Sequence, residues 1–276
     1  MRTGITKISL LVLLIISCSS NTGGSANNII PGISIPAVTP TINYNAVNMY
    51  PHDTTSFTEG FSFHEGKLYE SSGADPDLPQ TRSIVGVVDL KTNKLIKKIE
   101  LDKKLYFGEG IAFFKNKLYQ LTYTTKIGFV YDAKTFKQLS TFSFPSKEGW
   151  GMTADSTGLI MSDGSDTLTW LDPQTLQPVK IIKVTGDKGP VKNINELEYI
   201  KGFIYANVYN TDAIVKIDPA TGKLTGKLDL TSLYNMERNN SSGSLQLNGI
   251  AYDATADKIY VTGKMWPHIY EIQFEH

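Results

Sequence analysis

Cysteine is almost absent. Cys18 is the only one in 276 residues, so neither an intramolecular disulfide nor a cysteine-based metal site can form. Neither sign of charge is in excess, with 27 Lys and Arg against 27 Asp and Glu. A chain without surplus cations lacks the electrostatic footprint of a nucleic-acid binder, and one without an acidic block lacks a solvating tail. The N-terminal apolar run Ile8–Ile16 falls well short of the roughly 20 residues that span a bilayer as a helix. His52, His64, His268 and His276 are scattered, with no pair at metal-ligand spacing. Walker, HExxH and nucleophile-elbow motifs are missing as well. What is plentiful is apolar residue, at 41%, enough for a packed core.

The first residues read as a targeting segment. Arg2 and Lys7 precede the apolar run, which ends in Ile15-Ile16-Ser17-Cys18. Aliphatic and small residues before a lone cysteine resemble a bacterial lipobox, so residues 1–17 are expected to be a signal peptide and Cys18 the lipidated first residue of the mature protein. Residues 18–42, rich in Ser, Asn, Gly, Thr and Pro, read as the lipidated cysteine and a flexible tether. The expected location is the bacterial cell envelope, with the membrane met only through the lipid.

Residues 43–276 carry five internal repeats. Each opens on Glu or Asn, usually Gly, then an apolar residue: Glu59-Gly60-Phe61, Glu109-Gly110-Ile111, Glu148-Gly149-Trp150, Asn195-Glu196-Leu197 and Asn248-Gly249-Ile250. The openings lie 50, 39, 47 and 53 residues apart, periods suited to propeller blades of four strands. A third strand in each repeat is expected to end in an acid (Asp89, Asp132, Asp172, Asp218, Glu271), at 30, 23, 24, 23 and 23 residues from the opening. Only the first repeat departs, with extra turn residues around Gly73-Ala74-Asp75-Pro76-Asp77. The last repeat runs out after its third strand, and Asn43–Tyr50 alternates like a strand before the first opening. An all-β, five-bladed β-propeller is therefore expected, closed by an N-terminal strand that completes the last blade.

In such a fold the openings and the loops after each second strand share one face. Glu59, Glu109 and Glu148 would gather there with Asn195 and Asn248. Carboxylates held close raise one another's pKa, which suits proton transfer. The competing reading is that each opening residue only hydrogen-bonds the neighbouring blade. Phe57, Phe107, Tyr123, Trp150, Tyr209 and Trp266 fall on the same face and suggest a pocket with aromatic walls, and Lys264, between Gly263 and Trp266, suggests a charge on the site.

These stretches resemble the plant and bacterial type of glutamine cyclotransferase, a family of five-bladed propellers. The likeness rests on Phe57-Thr58-Glu59-Gly60, Phe107-Gly108-Glu109-Gly110, Glu148-Gly149-Trp150-Gly151, Ser162-Asp163-Gly164-Ser165, Asn195-Glu196-Leu197-Glu198, Leu247-Asn248-Gly249-Ile250 and Thr262-Gly263-Lys264-Met265-Trp266-Pro267, and runs from about Tyr44 to Phe274. It implies an acyltransferase that turns an N-terminal glutamine of peptides or proteins into pyroglutamate with release of ammonia. It also implies Glu109 as the acid/base and Phe57, Phe107, Trp150, Asn195 and Lys264 as pocket residues. Plant-like members carry Gln where this chain has Glu59, and Trp where it has Tyr123 and Tyr209. With these, Glu148 and Trp266 complete the expected substrate-binding set. No metal or organic cofactor is expected, and the domain is expected to act as a monomer. Two other classes stand beside the enzyme: a non-catalytic envelope propeller that binds peptides or glycans, and a metal-dependent lactonase or hydrolase.

Overall fold

The computed structural model describes residues 38–276. The expectations for the signal peptide and for lipidation of Cys18 lie outside the described residues. Five four-stranded antiparallel sheets form in chain order, each starting with its innermost strand. Those innermost strands are Phe57–His64, Gly108–Phe114, Met152–Ala154, Ile194–Ile200 and Leu247–Asp253. The second strands, such as Lys117–Thr122, are also largely buried, whereas the outermost, such as Gln138–Ser143 and Pro178–Lys183, are mostly exposed. The inner strands are buried although they carry polar residues such as Thr58, Glu59, Asn195 and Glu196.

The core is a ring of contacts between neighbouring blades. Tyr69, Val85 and Ile99 of the first blade pack on Ile111, Leu118 and Phe129 of the second. Comparable clusters join the second blade to the third, the third to the fourth and the fourth to the fifth. The last one, of Phe61, Leu68 and Val88 with Ala251, Tyr260 and Ile269, brings the fifth blade back to the first.

Closure works as the sequence implies. Asn45–Pro51 pairs antiparallel with His268–Gln273 as the outer strand of the fifth blade. Asn48 and Tyr50 both donate to the Glu271 carboxylate, at 2.9 and 2.7 Å. Immediately after this strand, His52 is clamped: its backbone N–H donates to the Pro267 carbonyl, while its ring lies 2.7 Å from the Trp266 carbonyl and 3.1 Å from the Glu70 carboxylate of the first blade. One side chain thus staples the last blade to the first.

The tether reading stops short of residue 42. The Ile42 N–H donates to the Lys227 carbonyl, the Lys227 N–H donates to the Pro40 carbonyl, and Thr39 donates to the Asp187 carboxylate. Residues 39–42 therefore dock on the fourth blade, because the strand Leu224–Asp229 leaves an open edge there. A helix, Thr231–Asn240, fills the long connection between the fourth and fifth blades. Its buried Glu237 accepts a hydrogen bond from the Tyr270 hydroxyl and lies 3.0 Å from His268, fixing the helix to the fifth blade.

Candidate active site

The repeat openings become ladder irregularities. Between Thr58 and Gly60, Gly108 and Ile111, Ile194 and Leu197, and Leu247 and Ile250, the pairing of first and second strands shifts register. Such a bulge bends the strand and re-aims a side chain. Glu59, Glu109, Asn195 and Asn248 are the residues released in this way. Glycine follows three of them: at Gly60 and Gly110 the next blade's backbone passes within contact, a Cβ on Gly110 lying 2.4 Å from the Met152 nitrogen, whereas Gly249 has a φ of +118°.

In the third blade the frame differs from the sequence reading by two residues. Met152 opposes Met161 as Ile111 opposes Gln120 and Leu197 opposes Ala206. Counting back two residues in each blade places Trp150, with Gly151 after it, at the ring position. Glu148 lies outside the ring and does not line the cavity; its carboxylate accepts the Trp150 indole N–H at 2.9 Å.

The ring floors a cavity of about 450 Å³, lined by Glu59, Glu109, Trp150 and Asn195 together with Phe57 and Phe107. The loops after the second strands contribute Tyr123, Tyr209 and Lys264, so openings and loops do meet on one face. Two glycines seat the aromatic walls. Phe107 lies on Gly73, where a Cβ would come within 2.2 Å of the ring. Trp150 lies on Gly164, which also has a φ of +75° that other residues rarely adopt. Phe57 meets Phe107 edge-on at 5.9 Å, and Trp150 meets Tyr209 edge-on at 5.5 Å.

Two expected residues are placed elsewhere. Besides Glu148, Trp266 is fully buried in the core between the fourth and fifth blades. Met265, at φ 58°, turns the chain so that the indole points inward and donates to the Leu245 carbonyl at 2.9 Å. Trp266 supports the strand end that carries Lys264 instead of touching the cavity. Conversely, Asp75, Pro76 and Asp77 line the cavity without having been singled out for it. Their signal was the extra length of the first repeat. Glu196 is also new: it stands where the other openings have glycine. Its buried carboxyl reaches across the axis to accept the N–H groups of Phe61 and Ile250, at 3.1 and 2.8 Å. Burial, then the charge of Glu198, raises its pKa well above the usual carboxylate value.

The electrostatics separate the two ring carboxylates. Glu59 forms an ion pair with Lys264 and also accepts from Asn248 Nδ2 at 3.2 Å. Burial raises the Glu59 pKa, and the Lys264 cation only partly offsets this. Lys264 Nζ sits over the Phe57 ring at 4.3 Å, an arrangement that favours a cation. Glu109 differs: among the described residues its carboxyl makes no hydrogen bond and no ion pair, although only 5% of the residue is exposed. Burial first, then the negative charge of Glu59, raises its pKa well above the ordinary value; Lys264 opposes and Glu148 adds. Asn195 Oδ1 is likewise buried without a partner among the described residues.

Residues 10–274 match the family model described as glutamine cyclotransferase. The chain belongs to that family. With the membership comes its class, an acyltransferase enzyme. The chain is 36% identical over 230 residues to the glutaminyl-peptide cyclotransferase of Arabidopsis thaliana, a match covering 82% of this chain and 69% of the relative. The crystal structure of Myxococcus xanthus glutaminyl cyclase superposes with a TM-score of 0.78 at 31% identity, covering 86% of this chain and 98% of the other. The family match therefore extends over all five blades.

Proposed function

We propose that the cavity cyclises the N-terminal glutamine of peptides and proteins to pyroglutamate, with Glu109 moving the proton. The observation that carries this reading is the Glu109 carboxyl: buried, unpartnered among the described residues, raised in pKa and open only to an aromatic-walled cavity. In the reaction the α-amine nitrogen attacks the δ-carbon of its own side chain, forming the ring C–N bond. The carboxamide C–N bond then breaks and its nitrogen leaves as ammonia. The attacking nitrogen must shed protons and the leaving nitrogen must gain one. A free α-amine has a pKa of roughly 7.7 to 8. A carboxyl raised well above its usual value is better matched to that amine than an ordinary glutamate, so proton transfer in both directions stays near balance.

The remaining groups hold the geometry. Phe57, Phe107 and Trp150 confine the substrate side chain in a folded conformer, bringing amine and carbonyl together. Asn195 can donate through its Nδ2 to the substrate carbonyl oxygen as that oxygen gains charge, while its Oδ1, without a partner among the described residues, can accept from the substrate's N–H groups. Lys264 adds a cation nearby, but one already balanced by Glu59.

The test is mass spectrometry of a short glutamine-initiated peptide incubated with purified protein, looking for loss of ammonia. Glu109→Gln retains shape and removes the exchangeable carboxyl. Its turnover is expected to fall by about 10²- to 10⁴-fold with the melting temperature retained. A folded Glu109→Gln protein with near wild-type turnover would refute the mechanism. A wild type with none would instead favour a propeller that only binds peptides.

A further inference from the structure

Beside the candidate site lies a second cavity of about 410 Å³, and the two share a wall made of Asp75, Pro76 and Phe107. Asp75 and Pro76 come from the connection between Lys67–Gly73 and Ile84–Asp89, the same extra length that sets the first repeat apart. This connection is held in shape from within. The Asp75 carboxylate accepts the Asp77 N–H at 2.9 Å, and the Thr81 hydroxyl accepts the Asp75 N–H at 2.8 Å while donating to the Leu78 carbonyl at 2.7 Å. The far side of the cavity includes Lys103, Lys104 and Leu105, from the link between the first and second blades. Leu105 is 61% exposed, and neither lysine makes an ion pair among the described residues. With Asp75 as the one acid among the lining side chains, the second cavity carries a surplus of positive charge.

Accepting the site as a cyclase of peptide N-termini, we propose that this second cavity receives the residues following the cyclised glutamine, and that Lys103 and Lys104 make it favour acidic side chains there. A peptide whose first residue has both its amine and its carboxamide at Glu109 must leave through the mouth of the first cavity. On one flank the edge-packed Trp150 and Tyr209 form an aromatic wall. Over the lip of Pro76 and Phe107, the chain enters a neighbouring concavity of comparable size with an exposed apolar contact and two uncommitted cations. Lysine stems are flexible, so the charges follow a carboxylate at more than one position along the peptide.

The experiment compares kcat/KM for glutamine tetrapeptide amides carrying Glu, Ala or Lys at the second, third or fourth position, with glutamine amide as a reference for the cavity at Glu109. Wild type is expected to prefer the acidic over the lysine peptide by roughly five- to tenfold at low salt, with the ratio shrinking as salt screens exposed charges. In the double variant Lys103→Glu/Lys104→Glu, the ratio is expected to invert. Reading a ratio within one protein cancels any general change in activity. Equal kcat/KM across the peptides, or a preference that survives charge reversal, would overturn the subsite while turnover of glutamine amide leaves the cyclase reading standing. No turnover of any compound would overturn both.

Discussion

At the position of Glu59 this chain sets a second carboxylate into the ring and spends its charge on Lys264 and Asn248. The consequence falls on its neighbour. Glu59 is the largest charge–charge influence raising the Glu109 pKa, and Lys264 is the one lowering it. Replacing Glu59 by Gln removes the repulsion and frees the cation, and both changes lower the Glu109 pKa. The acidic limb of the kcat/KM profile, which reports the free enzyme, is expected to move to lower pH in Glu59→Gln with turnover retained or raised. An unmoved limb would mean that Glu59 is not coupled to the group that limits activity. The presence of polar groups at Glu59, Glu109 and Asn195 was legible from the repeat pattern. That one carboxylate is neutralised and the other left open was not, because the difference depends on Lys264 arriving from another blade.

Among the elements, the N-terminal strand has the clearest energetic role. Asn45–Pro51 covers the edge of His268–Gln273 with a full antiparallel ladder, and it supplies two donors to Glu271. Residues 39–42 add less: a short bridge on the fourth blade, the Thr39–Asp187 contact and the packing of Ile42 on the core. Deleting through Ile42 is therefore expected to lower the melting temperature by a few degrees. Deleting through Tyr50 should lower it by roughly 10 °C or more, the shift that a loss of several kcal/mol gives in a domain of this size. Equal melting temperatures for the two truncations would contradict the closure. The helix Thr231–Asn240 was not foreseen, because its sequence sits in a connection where the repeat pattern is silent.

For the molecule as a whole, stability should decline from mildly acidic to alkaline pH, with Glu198 and His52 acting in the same direction as the raised carboxyls of Glu59, Glu109 and Glu196. The buried Glu198 carboxyl is raised by burial to about 8 from 4.5. The folded chain thus binds this proton more tightly than the unfolded chain. The resulting stability is present below about 4.5 and is lost as pH rises toward 8. Burial alone would lower the His52 pKa, but the charge and hydrogen bond of Glu70, with the Trp266 carbonyl, raise it overall from 6.5. Its contribution is full below that value and is lost as pH rises through the folded-state pKa. Melting temperature is expected to fall between about pH 5 and about pH 9, with a shallower slope in Glu198→Gln and in His52→Gln. A wild type that melts at one temperature across that range would contradict both assignments.

Local sequence was enough to determine the architecture. Five polar–glycine–apolar openings, the near-constant distance to the following acid and a last repeat lacking its outer strand leave few topologies other than a closed ring. The extra residues of the first repeat were visible too, though not that they would wall the cavity. What only tertiary structure decided was orientation. In Glu148-Gly149-Trp150-Gly151 the residue types favour the frame that opens on Glu148, and only the pairing of Met152 with Met161 puts Trp150 in the ring and Glu148 outside. In Gly263-Lys264-Met265-Trp266 the sequence offers a cation and an indole, while the left-handed turn at Met265 sends the indole into the core, with Lys264 at the cavity. A local pattern records which residue types a blade requires, whereas the direction each one faces depends on the register of strands far apart in the chain.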